Sequence, residues 1–183
     1  APGARRIGLS ATVHDPDALC RWLGLGDPVF RVDGGKGPRP EIRVLSSKER
    51  VPWAGHMTMH AWPEVYAAVR QAETALVFVN TRLQAEVAFQ ELWRLNEDNL
   101  PIALHHGSLA PEQRRKVEAA MARGSLRAVV CTSTLDLGVD WGAVDLVIQI
   151  GAPKGLSRLV QRVGRANHRL DEPSRALLVP SNR

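Results

Sequence analysis

The stretch ALVFVNTR, residues 75–82, sets the pattern that decides the fold. Its first five residues are apolar and include two β-branched residues and an aromatic one, which predicts a strand buried on both faces. Asn80, Thr81 and Arg82 then lead into a helical pattern over residues 83–95. An apolar strand followed directly by a helix is typical of a parallel sheet with helices on both faces.

The same alternation continues along the chain. Downstream, we predict strands over 102–104, 126–131, 145–150 and 176–179, and helices over 111–122 and 156–163. Upstream, we predict a helix over 63–71, a helix over 17–23 capped by Asp15, and possible strands over 6–9, 29–32 and 41–45. The sequence therefore predicts an α/β fold with three layers, α/β/α, around a parallel sheet.

The segment GGKGPRP, residues 34–40, is rich in glycine and proline and predicts a linker, because it sustains neither a helix nor a central strand. We expect residues 41–183 to form one nearly whole domain and residues 1–33 to be the tail of another. The chain starts at Ala1 instead of Met, from which we expect a piece of a longer protein.

Composition and charge indicate which kinds of partner and which cellular compartment to expect. The 183 residues carry a net charge of +5 with a pI near 9.9, which favours a polyanionic partner. No apolar run approaches the ~18 residues of a membrane span. Cys20 and Cys131 lie far apart in the sequence, and Cys131 ends an apolar run that predicts a buried free thiol. We expect a cytoplasmic protein with no membrane contact.

Small polar residues follow four of the predicted strands, where open parallel sheets bind ligands. They are Asn80-Thr81-Arg82, His105-His106-Gly107-Ser108, Thr132-Ser133-Thr134, and Gly151-Ala152-Pro153-Lys154-Gly155. Each group taken singly also fits an ordinary helix cap or turn. Four such groups on one edge favour a sugar–phosphate backbone that lies across the sheet.

Other clusters are less informative. The pairs His56/His60 and His105/His106 lack the further ligands of a metal pattern, so we predict no metal site. We predict that three tryptophans, Trp22, Trp62 and Trp93, are core residues. Trp141 lies in a glycine-flanked loop and is a candidate to stack on a base.

A nucleotide site is present only in part. A P-loop reads GxxxxGK[ST], whereas Gly35-Lys36 is followed by Gly37 and Phe30 occupies the place of the first glycine. The stretch QRVGRANHR, residues 161–169, offers Arg162, Arg165 and Arg169 as arginine fingers for a triphosphate held elsewhere. Alternatively, Arg162 and Arg169 cap helix carbonyls or lie in solvent.

Five stretches resemble superfamily 2 helicase motifs III, IV, IVa, V and VI in order and spacing. They are SAT (10–12), LVFVNTR (76–82), HHGSL (105–109), TSTLDLGVD (132–140) and QRVGRANHR (161–169). The wording is most similar to Lhr-type helicases, closest to the bacterial ligase-associated DEXH-box branch. The resemblance implies a RecA-like (P-loop NTPase-like) C-terminal domain that serves as the second motor domain of an ATP-dependent 3′-to-5′ DNA helicase acting in DNA repair.

The resemblance also implies roles for single residues. Ser10 and Thr12 would couple the two motor domains, and Gly138 and Asp140 would lie near the sugar of the nucleotide. Gln161 and Arg165, with Arg162 or Arg169, would face the γ-phosphate. The tracking-strand phosphates would be bound by Thr81, Arg82, Gly107, Thr132, Ser133 and Thr134. His168 occupies the place of the second finger in many relatives, and Arg169 comes one residue late.

The resemblance further implies ATP with Mg²⁺, held mainly by a first RecA-like domain that carries the P-loop and the DEXH box. Without that domain, we expect this chain alone to be inactive as an ATPase. Its partners would be single-stranded or partly duplex DNA, the missing N-terminal and further C-terminal domains, and a DNA ligase or nuclease. Two alternatives stay open: an RNA helicase domain, and a non-catalytic nucleic-acid-binding α/β module in which Gln161 and Arg165 have no role.

Overall fold

The computed structural model describes residues 5–9, 13, 15–33, 38–53, 57–136, 144–166 and 172–182. The chain separates into two compact units, Ala1–Gly37 and Pro38–Arg183. The division falls inside the segment 34–40 that was predicted to be a linker, of which residues 38–40 are described.

The first unit contains one described helix, α1 (Pro16–Gly24). It begins as predicted, with the carboxylate of Asp15 accepting a hydrogen bond from the backbone N–H of Ala18 at 2.9 Å. The strands predicted over 6–9 and 29–32 are wrong, because both segments are irregular. Trp22, expected in a core, is 71% exposed, since the described residues of its unit form no second layer for the helix to pack against.

The second unit is built on a six-stranded sheet in which every pair of neighbours is parallel. The strands are β1 (Glu41–Val44), β2 (Ala75–Phe78), β3 (Ile102–His105), β4 (Ala128–Cys131), β5 (Leu146–Ile150) and β6 (Arg175–Val179). Their order across the sheet is β1-β6-β5-β2-β4-β3. Every residue of β2, β4 and β5 is buried, which explains why these segments read as continuous apolar runs.

Among the described residues of this unit, four helices cover the two faces of the sheet. They are α2 (Trp62–Gln71), α3 (Arg82–Arg94), α4 (Pro111–Ala122) and α5 (Leu156–Val163), with 3₁₀ turns at Met59–Ala61 and Ser133–Leu135. Side chains alternate along β2, so that Val77 packs in the core with α2 and α3, whereas Leu76 and Phe78 pack in the core with α4 and α5. The predicted three-layer α/β/α arrangement is confirmed.

The two tryptophans on the helices of the second unit differ in their exposure to solvent. Trp62 is 2% exposed, as predicted, but Trp93 is 58% exposed and stacks on Phe89 with ring centroids 5.9 Å apart. The buried stripe of α3 consists of Ala85, Ala88 and Leu92, at helical spacing. Trp93 comes one residue after that stripe and is therefore turned about 100° away from the sheet. Among the described residues, no helix is long and apolar enough to cross a membrane.

Cys131 provides a test of the core. It is fully buried in β4, and burial raises the pKa of its thiol well above the ordinary value. We expect the native protein to react with iodoacetamide at the more accessible Cys20 and not at Cys131, with both reacting in denaturant. Mass spectrometry of the alkylated peptides measures this. Equal labelling of both cysteines in the native protein would contradict the packing described here.

Candidate functional site

The loops that follow β2, β3 and β4 meet at one edge of the sheet, because these strands are parallel neighbours in the order β2-β4-β3. We call these three loops the strand-end edge. A Cβ added at Gly107 would lie 3.8 Å from the Thr134 methyl, which places the loops after β3 and β4 side by side. The edge therefore gathers residues that the sequence analysis predicted to bind phosphates: Thr81, Arg82, Gly107, Thr132, Ser133 and Thr134.

Thr81 is fixed by the start of α3. Its hydroxyl oxygen accepts a hydrogen bond from the Gln84 N–H at 3.2 Å, and the Gln84 side chain accepts from the Thr81 N–H at 3.1 Å. This capping box uses the hydroxyl oxygen as an acceptor and leaves its proton for another partner.

Asn80 ties this loop to the loop after β5, since its side-chain amide donates to the carbonyl of Ala152 at 2.8 Å. Gly151 begins the loop after β5 with a φ of +68°, and an added Cβ would lie 3.2 Å from the Ser181 hydroxyl. This crossing of loops therefore favours glycine.

Arg82 points a partly free guanidinium away from the protein. Its side chain is 62% exposed, and its Nε donates to Glu86 at 2.8 Å. This bond lowers the pKa of the Glu86 carboxyl. The Nη groups of an arginine offer four more N–H donors, so the Glu86 contact does not exhaust its capacity to bind an anion.

The two histidines at the end of β3 are hydrogen-bonding residues. The ring of His105 lies between two side chains, with Nδ1 2.9 Å from the Thr134 hydroxyl oxygen and Nε2 3.0 Å from Glu118. His106 accepts a bond from the Ser108 N–H at Nδ1, and burial lowers its pKa. From the sequence, both were predicted to belong to a group of polar residues beside a sugar–phosphate backbone and were rejected as metal ligands, but these hydrogen bonds were not predicted. The signal for this role was their position at the end of a buried strand.

Arg162 was predicted to face a phosphate, but its side chain is buried and paired within the protein. Its side chain is 1% exposed, with Nε 2.7 Å from Asp136 Oδ1 and Nη1 2.7 Å from Gln149 Oε1. The guanidinium carbon also lies 4.5 Å from the centre of the Phe78 ring. A guanidinium enclosed in this way reaches neither solvent nor helix carbonyls, so both sequence-based interpretations of Arg162 fail.

Arg165 occupies a different environment. It is half-buried, and its Nη2 donates to the main-chain carbonyl of Asp136 at 3.2 Å. Gln161 lies one turn earlier in α5 and is also half-buried. Arg158, also on α5, brings its Nε to 3.6 Å from the Asp136 carboxylate. Asp136, which was not singled out from the sequence, therefore contacts three arginines.

Asp136 also connects the two halves of the site. It follows the Ser133–Leu135 turn directly and caps it, so the residue that holds the arginines is two positions from Thr134 at the strand-end edge. The signal in the sequence was an acidic residue between two leucines, in LDL, where an apolar side chain would be ordinary.

Six predicted residues, including the one proposed to stack on a base, lie outside the described residues. They are Ser10, Thr12, Gly138, Asp140, Trp141 and Arg169. Their roles stay predictions.

Comparison with known proteins gives a consistent result. Residues 58–169 match the family model of the helicase conserved C-terminal domain. The chain is 34% identical over 181 residues to the ATP-dependent helicase Lhr-Core of Methanocaldococcus jannaschii, with 97% of the chain and 21% of the relative covered. It is 35% identical over 217 residues to the Lhr helicase/probable uracil glycosylase of Mycolicibacterium smegmatis, with 98% of the chain and 14% of the relative covered.

A solved structure of an Lhr helicase is also similar to this chain. The structure of Mycobacterium smegmatis helicase Lhr bound to ssDNA and AMP-PNP is similar with a TM-score of 0.83 and 36% identity. That similarity covers 98% of this chain and 24% of the solved one. The chain thus spans about a quarter or less of the length of these proteins.

The ion pair of Arg162 and Asp136 predicts a specific loss of stability. Asp136→Asn leaves a buried guanidinium without a counter-charge, which we expect to lower the free energy of unfolding by about 3 kcal/mol. Urea unfolding followed by circular dichroism measures the difference. Glu112→Gln, which breaks the exposed pair with Arg115, is the matched control and should cost less than about 1 kcal/mol. Equal losses in the two variants would show that the buried pair is not needed for stability.

Proposed function

This chain belongs to the helicase conserved C-terminal domain family, and on that premise we propose that it is the second motor domain of an Lhr-type, ATP-dependent 3′-to-5′ DNA helicase that acts in DNA repair. The observation that carries the proposal is the direct link from the strand-end edge to Arg165 through Asp136. A motor domain of this kind has to relate two ligands, a nucleic acid and a nucleotide, and here one short turn touches both candidate sites.

The strand-end edge supplies what a DNA backbone requires. Phosphate oxygens only accept hydrogen bonds, and this edge presents hydroxyls, backbone N–H groups and the exposed guanidinium of Arg82. We propose that Thr81, Arg82, Gly107, Thr132, Ser133 and Thr134 bind the tracking strand. The net charge of +5 supports attraction to that strand. The ssDNA in the Mycobacterium smegmatis Lhr structure also supports transfer of this role to the similar chain described here.

Arg165 is proposed as the arginine finger. One of its N–H donors is bound to the Asp136 carbonyl, which orients the guanidinium and leaves other donors for a phosphate oxygen. Its role would be to place a permanent positive charge at the γ-phosphate as the phosphoryl group transfers. Gln161, in the last turn of α5, would face the same group. Arg162 is removed from this set, because its charge is already neutralised by Asp136.

The rest of the nucleotide site would come from elsewhere in a longer protein. We propose that ATP and Mg²⁺ are held by a first motor domain with a P-loop and a DEXH box, and that Ser10 and Thr12 couple the two domains. Gly138 and Asp140 would lie near the sugar, and Arg169 is a candidate second finger. The proposed setting is the cytoplasm, with single-stranded or partly duplex DNA as substrate. The ligase-associated branch, with a DNA ligase or nuclease as partner, is part of the same proposal.

The finger assignment can be tested in the intact protein. Arg165→Ala should lower DNA-stimulated ATP hydrolysis about 10³-fold, because the charge at the γ-phosphate is lost. The affinity for single-stranded DNA should stay within about twofold, since Arg165 lies outside the strand-end edge. Phosphate release and fluorescence anisotropy measure the two quantities. Arg115→Ala, at an exposed position on α4, serves as the control.

Normal ATP turnover in the Arg165→Ala variant would exclude Arg165 as the finger. That result would instead favour a non-catalytic nucleic-acid-binding module.

The 183-residue chain alone should behave as half of a motor. It should show no ATP hydrolysis above background, and its affinity for oligo-dT should be weak. For each tenfold increase in salt concentration, the logarithm of the binding constant should fall by about 0.7 per phosphate contact. Arg82→Ala should reduce that salt slope by roughly one contact, whereas Arg94→Ala, at the far end of α3, should not. Hydrolysis by the chain alone, or an affinity that does not depend on salt, would count against the proposed division of labour.

A further inference from the structure

His105 is a buried residue to which the proposed function gives no role. Its ring is 2% exposed and bridges Thr134, on the Ser133–Leu135 turn, and Glu118, on α4. Thr134 is one of the proposed phosphate ligands, and it lies against Gly107 of the neighbouring loop. The bridge therefore connects a half-exposed carboxylate on the surface of a helix to a hydroxyl at the strand-end edge.

The protons of this bridge can be counted. A carboxylate only accepts, so Nε2, at 3.0 Å from Glu118 Oε1, carries a proton. In the neutral ring Nδ1 then has none, and the Thr134 hydroxyl has to donate its single proton to Nδ1 across 2.9 Å. In the imidazolium form Nδ1 donates to the hydroxyl instead. The hydroxyl proton is then released toward the His105 carbonyl at 3.3 Å, or toward another acceptor.

From this geometry we propose that His105 is a positioning residue for DNA: its imidazolium form, held by Glu118, donates to the Thr134 hydroxyl and thereby frees the hydroxyl proton for a DNA phosphate. A phosphate oxygen has no proton to give, so Thr134 binds it without losing the contact to His105 only when Nδ1 is protonated. The inference rests on the proposed function, because it needs Thr134 to be a phosphate ligand. It follows that DNA binding and protonation of His105 favour each other.

Other titratable groups lie around His105. Glu118 approaches from α4, and Cys131 of the adjacent β4 stays neutral because burial raises its pKa. His106 follows on the same strand end, near Glu86 and Arg82 of α3, and burial lowers its pKa. His106 also uses Nδ1 as an acceptor for the Ser108 N–H, so it is neutral in the described arrangement.

The test compares two carboxylates on one helix in the full-length protein. Glu118→Gln keeps an oxygen that accepts from Nε2 but removes the charge that stabilises the imidazolium. Glu112→Gln removes the same charge from an exposed position on α4. We expect the affinity of the wild type for oligo-dT to be higher at about pH 6 than at about pH 8. Glu118→Gln should bind about tenfold more weakly than wild type at about pH 8, and this difference should narrow at about pH 6, because acid favours the proton on Nδ1 that both proteins need. Glu112→Gln should follow wild type at both pH values.

Two further variants distinguish the effect of the proton on His105 Nδ1 from the effect of the phosphate contact made by Thr134. Thr134→Val should bind about tenfold more weakly and lose the pH dependence, because the phosphate contact itself is gone. His105→Asn presents an amide N–H to Thr134 at any pH, so it should retain binding and also lose the pH dependence. Anisotropy titrations at fixed salt measure all of these affinities.

The outcomes distinguish the two levels of the proposal. If the wild-type protein does not bind oligo-dT, the proposed function itself fails. If the wild type binds but Glu118→Gln loses the same factor at both pH values, or matches Glu112→Gln, then Glu118 has at most a structural role and the inference is overturned. The inference is also overturned if Thr134→Val keeps the pH dependence of the wild type.

Discussion

The enclosed ion pair of Arg162 and Asp136 is the interaction on which the arrangement of the site depends. Burying a guanidinium is costly unless it is paired and hydrogen-bonded, and here it meets a carboxylate, an amide oxygen and an aromatic ring at once. Those partners come from the turn after β4, from β5 and from β2. One side chain of α5 therefore fixes the helix against three separate segments of the sheet, and the position of Arg165 is a result of that fixation.

Sheet topology accounts for the other half of the site. The order β5-β2-β4-β3 puts strands that are distant in sequence side by side, so loops around residues 81, 107 and 133 share one edge. β5 lies on the opposite side of β2 and leads into α5. The proposed DNA ligands and the proposed finger thus flank the same central strand, and neither set depends on a long or irregular loop among the described residues.

The continuous apolar strands and the helices that alternate with them were predictable because local pattern and burial agree. β2, β4 and β5 are buried on both faces, and the helices 111–122 and 156–163 have their predicted bounds. Residues 6–9 and 29–32 contain β-branched and other apolar residues as well, but a strand also requires a hydrogen-bonded neighbour, which spacing does not reveal. Arg162 and Arg165 look alike in the sequence, and only packing separates the buried structural arginine from the half-buried one. The roles of Asp136 and His105 depend on partners 26 and 29 residues away, a separation that no local pattern encodes.

The Ser133–Leu135 turn is only three residues long, and it carries a candidate phosphate ligand inside it and the carbonyl that holds Arg165 at its end. A 3₁₀ segment rises about 2 Å per residue, so these two groups are separated by only a few ångströms of stiff backbone. A connection this short has no flexible segment between the two groups that could absorb a displacement. If the proposed function holds, a shift that a nucleic acid imposed on the Thr134 hydroxyl would therefore reach the carbonyl that holds Arg165 with little attenuation. The coupling between the two proposed sites would then depend on the stiffness of this one turn.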